Sequence, residues 1–332
     1  MASSILGQPA PVADTLYAIN NASISFSDYC NLALSPVAAV FSRPSTDTMG
    51  AGLASCNPAA RVRFSTNSMA IGIVLRWTNL VTNPALFNSV GSILVDGVEV
   101  RTFSISVGSS VTVTEYVSFA VAATRNIEVI LPYGASVDVL GVKLTSTATL
   151  STASARSSTR LICMGDSITQ SYYASAVSAS WTFNLGKLKN WQVINHGYGG
   201  RQCIPSDGTA LAGLSPSVAT YMIGYNDFGA QRSLVSFKAD FLAFVNNFRS
   251  INTTAKLYCI TPIYSTNTNT ITLESYRQQI RDVLTTLANP LNVLVEGLSL
   301  MTNNANRLTD GIHPNDVGSL EIANSLNSIV VL

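Results

Sequence analysis

Apolar and polar positions follow two different rhythms along this chain. From about residue 21 to residue 145 the runs are short and often alternate. Arg61 to Phe64, Val111–Val117 and Ile127–Leu131 alternate, Ile71–Trp77 is apolar and rich in β-branched residues, and Val137–Leu144 follows the turn Pro132–Tyr133–Gly134. A period of two is the mark of a strand. Ile93–Leu94–Val95 and Val98–Glu99–Val100 flank Asp96–Gly97, a pair suited to the left-handed backbone of a two-residue hairpin. Many short strands with regular turns predict a β-sandwich, jelly-roll-like, over residues 21–145. Residues 1–20 show neither rhythm and read as an irregular arm.

The run TSTATLSTASARSSTR has no apolar period, so residues 146–160 read as a Ser/Thr-rich linker. The grammar then changes. Short apolar strands are expected at Leu161–Met164, Gln192–Asn195, Ser217–Ile223, Lys256–Thr261 and Asn292–Glu296. Helical stretches fall between them, near 176–189, at Leu234–Arg249, at Ile271–Leu287 and finally at Val317–Val331. In the second, Leu234, Phe237, Phe241, Phe244, Val245 and Phe248 recur at helical spacing. Strands alternating with helices imply a parallel sheet covered on both faces. Residues 161–332 are therefore expected to form a three-layer α/β/α unit of flavodoxin-like type.

Composition narrows the function classes. Hydrophobic residues make up 47% and charged residues 11%, yet no apolar run approaches the ~20 residues a membrane span needs. The polar surface must then be rich in Ser, Thr and Asn, a style of secreted and virion proteins, and an extracellular or virion-associated location is expected. The start, Met-Ala-Ser-Ser-Ile, has no signal-peptide pattern. A net charge of +1 and the lack of a basic stripe argue against a nucleic-acid partner. Five cysteines with no CxxC pair argue against a zinc site or a disulfide framework. Cys163 and Cys259 sit in apolar runs and should pack as small hydrophobes. Cys30 and Cys56 are candidates for pairing.

Four short segments carry chemistry, and each follows an expected strand, where open α/β sheets place ligands. In Gly165-Asp166-Ser167 a serine leaves the strand in a tight turn. The glycines of Asn195-His196-Gly197-Tyr198-Gly199-Gly200 allow close approach of backbone N–H groups to a ligand. In Gly224-Tyr225-Asn226-Asp227 an asparagine offers a side-chain donor. Asp310-Gly311-Ile312-His313-Pro314 puts a carboxylate three residues before an imidazole, in a chain with only two histidines. Taken singly, each is also what a capped turn or a surface loop shows. The other histidine, His196, has no acid near it in sequence and reads as a packing residue.

The conjunction, in this order, resembles the SGNH (GDSL) hydrolase superfamily over about residues 160–332. The resemblance implies Ser167 as nucleophile, His313 as base and then acid, and Asp310 as the group orienting it. It implies an oxyanion hole of the Ser167 N–H, the Gly200 N–H and the Asn226 side chain. Where the family often has Gly-x-Ser-Gly, this chain has Gly197-Tyr198-Gly199-Gly200. Residues 61–68, Leu94-Val95-Asp96-Gly97 and Ile130–Gly134 resemble the β-sandwich that precedes SGNH domains in some carbohydrate esterases. The implied activity is hydrolysis of small acyl esters, O-acetyl above all, on a polysaccharide or glycan, with no metal or cofactor. Two other readings stand beside it: a glycan-binding or virion tail protein with a degenerate site, and a lipase or thioesterase of the same superfamily.

Overall fold

The structure, a computed structural model, describes residues 12–44, 53–80, 90–104 and 111–332. Before residue 152 it contains the strands β1 (Thr15–Ala18), β2 (Ser25–Ser27), β3 (Asn31–Leu34), β4 (Ala39–Ser42), β5 (Arg61–Thr66), β6 (Ala70–Leu80), β7 (Gly91–Val95), β8 (Val98–Phe103), β9 (Val111–Ser118), β10 (Arg125–Ile130), β11 (Ala135–Leu144) and β12 (Leu150–Ser151). They pair as two six-stranded sheets. One runs β3-β4-β11-β6-β9 with β1 on β11, the other β12-β5-β10-β7-β8 with β2 on β5. Alternate residues of β6, namely Ile71, Ile73, Leu75 and Trp77, share one core with Val62, Phe64, Ile93 and Val129 of the other sheet. Each such side chain contributes about 1.5–3 kcal/mol when buried. A one-residue slip would turn the whole set to water, so the burial pattern fixes the register. At the hairpin tip Asp96 and Gly97 have φ of 49° and 80°, the left-handed pair expected there.

Three details go beyond the pattern read from the sequence. The irregular arm over 1–20 lies partly outside the described residues, and its end is a strand: β1 pairs with β11 from Thr15↔Leu144 to Ala18↔Gly141. Four residues on a sheet edge are too short a run to show a period. The 146–160 tract is held at two points. Leu150–Ser151 adds to β5, and Arg156 pairs with Asp28 while donating to the Trp191 carbonyl. Finally, β5 has no solvent face, because Arg61 and Arg63 are buried as well. Arg61 reaches Asp28 at 2.8 Å and Glu128 at 2.6 Å, and its guanidinium lies 4.7 Å over the Phe183 ring of the following half.

That half has the strands β13 (Arg160–Gly165), β14 (Gln192–Gly197), β15 (Val218–Met222), β16 (Lys256–Ile260) and β17 (Asn292–Val295). All pairings are parallel, in the order β14-β13-β15-β16-β17. Every residue of β15 is buried, as a strand covered on both faces requires. The helices are α1 (Ser167–Gln170), α2 (Trp181–Lys189), α3 (Tyr225–Gly229), α4 (Leu234–Ile251), α5 (Leu273–Leu287) and α6 (Asp316–Ile329). The sheet grows one way from β13 to β14 and the other way from β13 to β17. Right-handed crossovers then send α2 to one face and α4 and α5 to the other. α6 packs on α2, and α4 on α5. Phe237, Phe241 and Phe244 of α4 are buried against this sheet, with the Tyr221 ring 3.6 Å from that of Phe244. The reversal of strand order leaves a crevice beyond the carboxyl end of β13, between β14 and β15. All five cysteines are unpaired and buried.

Candidate active site

The nucleophile candidate sits at that crevice because the chain turns sharply after β13. Gly165 has φ +153°, and a Cβ there would lie 2.3 Å from the Met222 carbonyl oxygen. Only glycine lets β13 end this close to β15. Asp166 caps α1, accepting the Ile168 N–H at 2.9 Å, so Ser167 opens the helix. Backbone N–H groups of a first turn have no intrahelical acceptor, and that of Ser167 belongs to this set. Burial pushes the Asp166 carboxyl up to about 7, with the Ile168 N–H opposing and Asp227 reinforcing the rise.

The Ser167 hydroxyl lies 2.8 Å from His313 Nε2, and His313 Nδ1 lies 2.8 Å from Asp310 Oδ2. The other oxygen of Asp310 accepts the N–H groups of Ile312 at 3.0 Å and His313 at 2.8 Å. Burial pushes the Asp310 carboxyl up, but the hydrogen bonds from His313 outweigh it and hold it below its usual value. The loop is pinned from outside: the Gly311 carbonyl accepts from the Thr266 N–H at 3.0 Å and the Ser265 hydroxyl at 2.9 Å. Two rings flank the imidazole, Tyr172 at 5.7 Å and Tyr173 at 5.4 Å between centroids. Ser171 and Tyr173 adopt left-handed backbone at φ 80° and 67°. Such strain, of order 1–3 kcal/mol per residue, concentrates at functional sites.

The second and third segments meet beside α1. Tyr198 N–H donates to the Gly165 carbonyl at 2.9 Å, and Gly199 N–H to Gln170 Oε1 at 2.7 Å. The Asn226 amide donates to the Arg201 carbonyl at 3.0 Å, so one of its two N–H groups ties α3 to this turn. The glycine standing where the family often has serine has a steric reason here. A Cβ on Gly199 would lie 2.1 Å from the Tyr172 hydroxyl. The structure thus brings Ser167, Asp310 and His313 into one hydrogen-bonded line and joins the Gly200 and Asn226 segments to one another.

His196 lies elsewhere. It is 1% exposed, its ring packs edge-on against Tyr198 at 4.9 Å, and neither ring nitrogen has a hydrogen-bond partner among the described residues. Burial, then the charges of Arg43 and Arg201, hold it well below the usual imidazole value, so it stays neutral. Sequence reasoning missed several supporting residues. Gln170, fully buried, donates to the Tyr133 carbonyl at 3.0 Å as well as accepting from Gly199, and Tyr133 donates its hydroxyl to the Ala174 carbonyl at 3.0 Å. Among the described residues no cluster of His, Cys, Asp or Glu can hold a metal ion, and no helix is long and apolar enough to cross a membrane.

A serine, an imidazole and a carboxylate thus stand in line at the carboxyl edge of a parallel sheet. Residues 163–319 match the GDSL-like Lipase/Acylhydrolase family, and that match supports the SGNH (GDSL) hydrolase superfamily for this segment. No curated protein sequence matches the chain. Among solved structures it is similar to a salicylyl-acyltransferase from a tetracycline biosynthetic pathway, with 18% identity, a TM-score of 0.81, and 94% of this chain and 95% of that one covered. A family two carbohydrate esterase from Cellvibrio japonicus follows at 14% identity and TM-score 0.72, with 95% and 96% covered. One from Clostridium thermocellum, in complex with cellohexaose, has 14% identity and TM-score 0.72, with 92% and 97% covered. At these identities the likeness is one of fold, and it extends over both halves of the chain.

Proposed function

We propose that the protein is a serine esterase that removes small acyl groups, O-acetyl above all, from a carbohydrate. The observation that carries this reading is the Ser167–His313–Asp310 line, with both contacts at 2.8 Å. His313 takes the Ser167 proton as the hydroxyl attacks the ester carbonyl. The tetrahedral oxyanion is met by the N–H groups of Ser167 and Gly200 and by the Asn226 amide, and one such donor is typically worth about 3 kcal/mol of transition-state stabilisation. The leaving alcohol takes the proton back from His313, and water then releases the acyl group by the same steps in reverse order. Asp310 holds the imidazole with its proton on Nδ1, so that Nε2 can accept.

The carbohydrate part of this proposal is supported by the family two carbohydrate esterases among the structural neighbours. In this reading residues 21–145 are a jelly-roll-like β-sandwich unit beside the catalytic one, 146–160 a strap between them, and 161–332 the hydrolase unit. The protein acts outside the cell or on a virion, where polysaccharide is met. Hydrolysis of p-nitrophenyl acetate, butyrate and octanoate, followed by acetate release from acetylated polysaccharide, tests the proposal. Turnover that falls with chain length and depends on Ser167 supports it. A preference for octanoate would move the protein to the lipases, and absence of turnover would leave a binding protein with an inert site.

A further inference from the structure

The turn that carries Gly200 is fixed from several sides. Arg201 N–H donates to the Tyr198 carbonyl at 3.1 Å, and Gly200 has φ +77°, the value required at the third position of a type II turn. Gln170 holds the Gly199 N–H from below, and Asn226 holds the Arg201 carbonyl. A further hold comes from the strand-rich half. Arg43, which follows β4, is 3% exposed. Its Nε donates to the Cys56 carbonyl at 2.7 Å and Nη2 to the Leu53 carbonyl at 2.9 Å. Its Nη1 reaches across to the Gly197 and Asn195 carbonyls at the end of β14. The same guanidinium lies 4.1 Å over the Tyr198 ring, with Arg201 at 4.6 Å from that ring, and the Tyr198 hydroxyl donates to the Pro44 carbonyl.

We infer that Arg43 is a positioning residue for the oxyanion turn, so that the strand-rich half sets the catalytic geometry of the α/β half. A buried cation is expensive, and an apolar side chain would fill the same space at lower cost. What an apolar chain lacks is a rigid planar fork that can bind carbonyls on two segments at once. Arg43 joins residues 53–56 to the strand end from which the Gly199–Gly200 peptide projects. It touches no reacting atom. It acts through Gly197 and Tyr198, and a shift of about 1 Å in a catalytic group can cost roughly 10² in rate.

This inference rests on the reading of the Gly200 N–H as an oxyanion donor, and its test separates the two. Arg43→Met, Arg43→Lys and Tyr198→Phe are compared with the wild-type full chain by p-nitrophenyl acetate kinetics and by hydrogen exchange of peptides covering residues 195–203. Arg43→Met should lower kcat by roughly 10–100-fold with KM changed less than about twofold, and exchange at Gly199 and Arg201, whose N–H groups are hydrogen-bonded in the turn, should accelerate. Arg43→Lys should recover part of both, and Tyr198→Phe should show a smaller loss of the same kind. If Arg43→Met does not fold, the two milder variants decide by the same pair of readouts. Unchanged kcat and unchanged exchange in the folded variants would overturn the inference, as would a loss confined to KM. Faster exchange in a protein whose Ser167→Ala variant is fully active would sink the esterase reading and still support the hold of Arg43 on the turn.

Discussion

Ser167 and His313 stand 146 residues apart in sequence and 2.8 Å apart in space. Two independent loops deliver them. The first is the glycine-bounded end of β13, the second a turn closed by Asp310 on its own backbone. Ser167→Ala removes the side-chain hydroxyl and little else, since the backbone carbonyl of Ser167 still accepts from Ser171 and Tyr172 at the end of α1. The variant should melt close to wild type and lose at least about 10³ in kcat/KM. A fluorophosphonate probe should label Ser167 in the wild type and no residue in the variant. Activity within tenfold of wild type, after contamination is excluded, rejects the assignment.

The base can be tested by non-additivity. His313→Ala should be as damaging as Ser167→Ala, and the double variant no worse than either, because the two act as one unit. His196→Ala should keep its turnover while losing stability, since His196 fills a buried site against Tyr198. A dead His196→Ala with an active His313→Ala would reverse the roles of the two histidines.

Asp310→Asn probes the tautomer. The remaining oxygen can keep the two backbone N–H bonds, which turns the amide nitrogen toward Nδ1. The imidazole must then carry its proton on Nε2 and cannot accept from Ser167. A fall in kcat of about 10⁴ at neutral pH is expected, with the fold intact. A loss smaller than tenfold would show that Asp310 orients the loop and not the ring.

Asn226→Ala removes a candidate oxyanion donor. The loss should fall on kcat, by about 10²–10³, with KM little changed, because the charge it meets exists only in the transition state. Its contact with the Arg201 carbonyl predicts a second effect, faster exchange at Gly199–Arg201. An unchanged kcat would make Asn226 a residue of the turn alone.

The elements read from the sequence are those whose own pattern specifies them. The Asp96–Gly97 hairpin carries its turn chemistry in two residues. Leu234–Ile251 carries five buried aromatic and aliphatic positions at helical spacing. The Asp310–His313 contact is legible because both partners lie in one turn. β1 to β4 were not legible, because strands of three or four residues are too short to show a period and are held by their neighbours. The supports of the site were hidden for a related reason. Nothing local in Phe41-Ser42-Arg43-Pro44 points to Gly197, and nothing in Pro132-Tyr133-Gly134 points to Gln170. Those contacts join distant segments and exist only once both sheets have formed. Gln170 alone had a sequence cue, its place three residues after Ser167.

Asp166 gives the protein a pH signature apart from catalysis. Its carboxyl is 1% exposed, and burial raises it from 3.8 to about 7, with the nearby Asp227 adding to the rise. An acid whose folded value lies above its unfolded value binds its proton more tightly in the native state. The stabilisation from this group is therefore fully present below pH ~4 and is lost as pH rises through about 7. Asp166→Asn cannot ionise, and asparagine caps a helix about as well as aspartate, so the Ile168 N–H keeps its acceptor. The melting temperatures of wild type and variant should run parallel below pH ~4. Between pH ~4 and ~7 the variant should gain on the wild type, and above that the gap should stay constant. Parallel curves across the whole range would mean that Asp166 ionises freely in the folded protein and that its burial is offset by partners at the carboxylate.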